Sequence, residues 1–306
     1  MTQALTHIPA TMPVGIRERL RLQGYVIDPP AAAELYRMLH RPELPPPTAR
    51  DVAYGPDERH RLDVYTPAEA PAAVEDEPVT HPVLVFVHGG GFVGGNKNTA
   101  DTPYYDNLMV WASENGLVGV NVTYRLAPEH VWPSAQQDLQ AALQWVREHI
   151  GEYGGDPDRI ILMGHSAGAA HVAHYLGHAE FHVAPQGGVA GVILFSGVFD
   201  PATAKPSANL EAYYGADTSR YAEQSPYAGL VQLDLPFLIA VAEWDPQDFY
   251  RQAADLHERI RYHGGGHAWY YQLEGHNHMS EMYAIGTGDE ALETLLRSFV
   301  RGVVGE

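Results

Sequence analysis

The sequence contains no cysteine. That excludes disulfide scaffolds, thiol nucleophiles and cysteine-ligated metal. A chain of 306 residues needs no cross-links, because at this size folding buries most of the surface that the unfolded chain exposes. Basic residues are scarce, with 19 Lys and Arg against 38 Asp and Glu, for a formal charge of −19. Such a surface repels nucleic acid and anionic membranes and favours neutral or cationic small-molecule partners. No apolar run approaches the roughly 18 residues of a spanning helix. The N-terminus has no basic start followed by an apolar core, so no signal peptide is expected and the expected location is the cytoplasm. Internal repeats and low-complexity tracts are also missing.

What is present is an alternation of strand and helix signals. Val14–Leu22 and Ala31–Leu39 read as helices. Pro42 and the run Pro45–Pro47 then end an N-terminal helical segment of residues 1–50, expected to pack on the main domain or form part of a cap. Residues 51–306 read as one catalytic domain. Strands are expected at Arg61–Thr66, Val83–Val87, Leu117–Tyr124, Arg159–His165, Val189–Ser196, Pro236–Ala242 and Ala268–Leu273, with a Pro, Ala and acidic loop at Ala68–His81. Helices are expected at Ser134–Ile150, Ala167–Gly177, Gln247–Tyr262 and Asp289–Val300. The run VLVFV at Val83–Val87 has no polar alternation, as befits a strand buried on both faces. This alternation implies an α/β fold, a mostly parallel sheet covered by helices on both sides. The interval 199–235 is the longest departure and is expected to form a small cap.

Gly164-His165-Ser166-Ala167-Gly168 lies between a strand and an alanine-rich helix. A sharp strand-to-helix turn strains the central residue and holds its hydroxyl clear of the sheet, while the flanking glycines leave room for neighbouring backbone. Ser166 is therefore the candidate nucleophile. His88-Gly89-Gly90-Gly91-Phe92 follows the strand VLVFV. Its glycines can turn backbone N–H groups toward a common point, as a developing oxyanion requires. The expected donors are the N–H groups of Gly90, Gly91 and Ala167, with His88 as a brace. The run lacks the lysine of a phosphate-binding loop and the spacing of a dinucleotide fingerprint. A serine nucleophile needs a base, and the base an orienting acid. Asp245, in the turn after Pro236–Ala242, is the favoured acid, with Glu243 and Asp248 as neighbours. His276 and His278 compete as base in the loop after Ala268–Leu273, and spacing alone leaves both open.

HGGGF, VNVTYRLAPEH at Val120–His130, YGGDPDRI at Tyr153–Ile160 and GHSAG, in this order, resemble the esterase branch related to hormone-sensitive lipase in the α/β-hydrolase superfamily. The resemblance spans Val83 to the C-terminus. It implies an eight-stranded, mostly parallel sheet and hydrolysis of esters with short-to-medium acyl chains. It maps the nucleophile to Ser166, the acid to Asp245 and the oxyanion donors to Gly90, Gly91 and Ala167. The histidine of this branch follows a glycine by three residues, so Gly275 selects His278. Dimers are common among similar proteins, and the sequence itself leaves the choice between monomer and homodimer open. Two departures concern the substrate: His165 stands where the branch often has Asp, and Asp245 begins DPQ rather than DPL. Both are shared with related arylformamidases and with some feruloyl or acetyl esterases.

The leading reading is a serine carboxylesterase acting on a small-molecule ester without cofactor or metal. An arylformamidase-like amidohydrolase with the same triad is the alternative, and an inactive binding protein of this fold the third. His171, His174 and His178 fall on one helix, but without HExxH or a carboxylate partner they read as packing or surface histidines rather than zinc ligands. Arg125 and Asp138 read as a structural ion pair. Phe92, Phe199, Tyr213, Tyr214 and Trp244 are the aromatic candidates for a substrate pocket.

Overall fold

The central strand shows why polar alternation is missing from its sequence. The computed structural model describes residues 5–68 and 80–305. Its elements in order are β1 (Thr6–Ile8), α1 (Val14–Gln23), α2 (Pro29–Arg37), β2 (Ala49–Ala53), β3 (Arg61–Tyr65), β4 (His81–Val87), α3 (Asp106–Glu114), β5 (Val118–Val122) and α4 (Ser134–His149). There follow β6 (Gly155–His165), α5 (Ala167–Gly177), β7 (Gly191–Phe195), α6 (Ala208–Tyr214), α7 (Tyr227–Leu230), β8 (Pro236–Trp244), α8 (Gln247–His263), β9 (His267–Asn277), α9 (Ser280–Tyr283) and α10 (Glu290–Val304). In β4, Val83, Val85 and Val87 enter one core while Leu84 and Phe86 enter another. Successive residues point to opposite faces, and here both faces are covered. The same division separates Ile160 and Leu162 from Ile161 and Met163 in β6.

The first core is closed by α4, α5 and α8, through residues such as Leu143, Val172 and Leu256. The second is closed by α3 and α10, through Leu108, Trp111, Leu292 and Leu296. Leu20 of α1 and Ala32, Leu35 and Tyr36 of α2 join this second core. Asp28 caps α2 by accepting from the Ala31 N–H at 3.0 Å, and prolines occupy its first turn, where no backbone donor is needed.

The strand order is β1-β9-β8-β7-β6-β4-β5-β3-β2, nine strands among the described residues where about eight were expected. The strands outside the expected ranges are β2 and β1, the latter a short edge strand that runs parallel to β9 with Thr6 opposite Tyr271. Among the described strands, β3 runs opposite to the rest, antiparallel to both β2 and β5. The expected loop at 68–81 lies largely outside the described residues. Among the described residues, no helix is long and apolar enough to cross a membrane.

Candidate active site

Ligands of open α/β sheets bind beyond the carboxyl ends of the strands. Here β4, β6, β7, β8 and β9 end immediately before His88, Ser166, Ser196, Asp245 and His278. Ser166 sits between β6 and α5 with φ 57° and ψ −124°. Such a conformation costs about 1–3 kcal/mol and is held by its surroundings. The Ser166 N–H donates to the Phe195 carbonyl of β7 at 2.9 Å. A Cβ on Gly164 would come within 2.6 Å of the Gly168 carbonyl, and one on Gly168 would overlap the Val87 carbonyl of β4. The two flanking glycines are thus demanded by close backbone approach on both sides of the turn.

His278 Nε2 lies 2.8 Å from Ser166 Oγ, and His278 Nδ1 lies 2.7 Å from Asp245 Oδ1. The Asp245 carboxylate is fully buried. Its other oxygen accepts from the Ser196 hydroxyl and, at 2.8 Å, from the Ala242 N–H. These bonds fix the carboxylate, which in turn fixes the imidazole. His276 points elsewhere. Its ring contacts Ser280 Oγ and Asp289 Oδ2, each at 3.1 Å. Glu243 accepts from the Gly275 N–H at 2.7 Å, and Asp248 accepts from the Lys205 N–H at 2.9 Å and pairs with Arg251. Neither rival carboxylate is on the histidine.

The glycine loop faces the same serine. Gly90 has φ 136° and Gly91 φ 60°, and the Gly94 N–H donates back to the Gly90 carbonyl at 3.0 Å. Among the described residues, the N–H groups of Gly90, Gly91 and Ala167 have no hydrogen-bond partner. Ala167 is the first residue of α5, where helix N–H groups are unpaired by construction. His88 is buried, stacks on Tyr124 with ring centroids 4.5 Å apart, and receives the Tyr124 hydroxyl on its carbonyl at 2.7 Å.

The chain matches, over residues 84–282, the family model described as alpha/beta hydrolase fold. The chain belongs to the α/β-hydrolase fold family. Among curated relatives it is 35% identical over 161 residues to "Probable carboxylesterase 13" of Arabidopsis thaliana, covering 48% of each chain. It is 39% identical over 119 residues to "Probable carboxylic ester hydrolase LipM" of Mycobacterium tuberculosis, covering 39% of this chain and 26% of the relative. The match thus spans about half, or less, of these relatives' length. Among solved structures, a thermostable esterase from Pseudomonas putida ECU1011 superposes with TM-score 0.67 at 22% identity, covering 94% of this chain and 93% of that one. Esterase B from Lactobacillus Rhamnosis (HN001) gives 0.65 at 22%, covering 84% and 87%.

Within this α/β-hydrolase, Ser166, His278, Gly90, Gly91 and Ala167 line a cavity of about 700 Å³. Phe92 is on its wall. Phe199, Tyr213, Tyr214 and Trp244 are not among the lining residues, which corrects the aromatic expectation. Tyr213 and Tyr214 instead pack against Phe92 from behind, at 5.2 and 5.6 Å between centroids. Phe199 is fully buried in that core, and Trp244 belongs to the other. The apolar wall comes from Ile27, Val198, Leu210, Phe249, Met279 and Tyr283, which carry no motif and meet only in the fold.

Of the helix histidines, the His174 ring is held by the Phe199 carbonyl at 2.9 Å and the Tyr214 hydroxyl at 3.0 Å, and burial pushes it down to about 3. His178 bonds back to the His174 carbonyl. His165, His278 and Glu281 bring ligand atoms within 4.8 Å of one another. Both His278 nitrogens are already engaged by Asp245 and Ser166, so this donor set does not fit a resident metal. Asp138 accepts from the Arg125 N–H at 2.7 Å and Arg125 Nε at 2.8 Å, with His60 Nε2 3.0 Å away.

Proposed function

We propose that this protein is a serine carboxylic-ester hydrolase in which Ser166, His278 and Asp245 act as a triad. The observation that carries the reading is the chain of contacts from Ser166 Oγ to His278 at 2.8 Å and from His278 to Asp245 at 2.7 Å, opening into the cavity. Ser166 attacks the ester carbonyl while His278 Nε2 takes its proton. The carbonyl oxygen becomes an anion, which the N–H groups of Gly90, Gly91 and Ala167 receive. Asp245 holds the Nδ1–H tautomer and stabilises the imidazolium. His278 then returns the proton to the leaving alcohol, giving an acyl-serine. Water attacks the acyl-serine by the same route and frees the acid and Ser166.

The carboxylesterase names of the relatives support an ester as substrate. The partly apolar cavity supports short-to-medium acyl or aryl esters. Its lining includes Ile27 and Pro29 from the N-terminal segment and Lys205, Ser207, Asn209 and Leu210 from the 199–235 interval. These two segments are the parts of a cap on this reading.

Ser166→Ala tests the mechanism. The folded variant is expected to lose p-nitrophenyl acetate hydrolysis and labelling by a fluorophosphonate probe. Turnover near wild type sinks the reading. A parallel assay on N-formylkynurenine separates ester from activated-amide chemistry.

A further inference from the structure

The proposed mechanism leaves one buried acid without a task. Glu281, in α9 three residues after His278, is fully buried. Neither of its carboxyl oxygens makes a well-aligned hydrogen bond among the described residues, although His165 Nε2 and the Ser196 side chain are close to it. The groups that face it are Asp245 at the end of β8, Ser196 after β7, His165 at the end of β6, His278, and Tyr105 at the start of α3. No lysine or arginine is among them. Burial and the neighbouring Asp245 charge hold the Glu281 carboxyl well above the usual carboxylate range. Two close acids without a cation do not both ionise, and Glu281 is the one that keeps its proton.

His165 completes the arrangement. Its Nε2–H donates to the His278 carbonyl at 2.8 Å and lies 3.0 Å from Glu281 Oε1. The one N–H that serves the His278 carbonyl is thus also within reach of an ionised Glu281, which shares it. Burial, and then His278, keep this imidazole neutral. A His278 ring nitrogen and a Glu281 oxygen lie within 4.8 Å.

We propose that Glu281 is a reserve acid for His278, a positioning residue silent while Asp245 carries its charge and active when that charge is removed. The proposal rests on the triad reading above. Without the Asp245 charge, only burial is left to hold the Glu281 proton in place, and the carboxyl ionises toward high pH. Ionised Glu281, sharing the His165 N–H with the His278 carbonyl, then stabilises the His278 imidazolium from within 4.8 Å.

The test is a double-variant cycle on the full chain with p-nitrophenyl acetate between pH 6 and 10. Where no second acid is near, loss of the orienting carboxylate costs roughly 10⁴-fold in kcat. Here Asp245→Ala is expected to cost less, about 10²–10³-fold, with kcat rising toward high pH as Glu281 ionises. Adding Glu281→Gln should remove a further tenfold or more and abolish that rise. Glu281→Gln alone should stay within about threefold of wild type, because the amide mimics the neutral acid. Glu281→Leu replaces it if the glutamine variant does not fold, as judged by near-ultraviolet circular dichroism.

Equal rates and equal pH profiles for Asp245→Ala with and without Glu281→Gln overturn the proposal. So does a loss in Glu281→Gln alone as large as that in Asp245→Ala. If Asp245→Ala keeps wild-type kcat, the triad reading itself fails, a result distinct from either of these.

Discussion

Gly90→Ala is the sharpest probe of the glycine loop. Gly90 has φ 136°, outside the range open to residues with a Cβ. An added Cβ would overlap the Gly94 carbonyl and come within 2.8 Å of the Gly95 nitrogen. Both are backbone atoms, so no side chain can swing away. The loop must open, and the N–H groups of Gly90 and Gly91 must leave their common aim. Loss of one oxyanion donor removes about 2.7–4 kcal/mol of transition-state stabilisation, or 10²–10³-fold in kcat. The backbone strain itself costs about 1–3 kcal/mol of stability. The measurement is kcat and KM for p-nitrophenyl acetate, with melting temperature as the folding control. The expected outcome is a fall in kcat with KM little changed, because the donors bind the transition state rather than the ground state. Gly15→Ala, whose Cβ would meet nothing within 4 Å, should leave kcat unchanged. A folded Gly90→Ala variant with kcat within threefold of wild type would refute the oxyanion assignment.

The two histidines should separate cleanly. His278→Ala is expected to lose at least 10³-fold in kcat, whereas His276→Gln should lower the melting temperature through Asp289 and keep most activity; inactivity of only the latter contradicts the assignment. Acid should destabilise the fold through His88 and His174, both pushed down to about 3 by burial. The unfolded chain takes up these protons below about pH 6.5, so stability is full above that value and declines between about 6.5 and 3, by about 1.4 kcal/mol per pH unit for each histidine. Urea unfolding at pH 7 and pH 5 measures this, and equal free energies at the two values would argue against it. Asp138→Ala strips the partner from Arg125 and His60 at a buried position, at a cost of about 3–5 kcal/mol and a melting temperature lower by roughly 5–10 °C. A calorimetric scan unchanged by this substitution would show that the pair is dispensable.

Several elements escaped the sequence for reasons the structure makes plain. In α3, six consecutive residues, Asn107–Ala112, are buried, so no apolar stripe with helical period is written there. The edge strand β2 is exposed on most residues and its register shifts between Ala49 and Val52, which erases alternation. Three residues of β1 become a strand only because β9 offers them an edge. Of the pocket aromatics, Phe92 lines the cavity and Phe199, Tyr213, Tyr214 and Trp244 do not. Tyr213 and Tyr214 lie at the right place in the chain but pack behind Phe92, and Phe199 is buried in the same core.

Some features were legible because their cause is local. A serine held between glycines, a strand before it and a helix after it are set by residues within a few positions of one another, where steric rules act directly. The unbroken apolar runs of β4 and β6 declared a sheet covered on both faces in the same way. Tertiary structure decided what depends on separate strand ends converging. It put Asp245 and His278 on Ser166, gave His276 to Asp289, and buried Glu281 beside His165. These contacts join residues distant in the chain, and no local pattern encodes a distance that exists only after the sheet has formed.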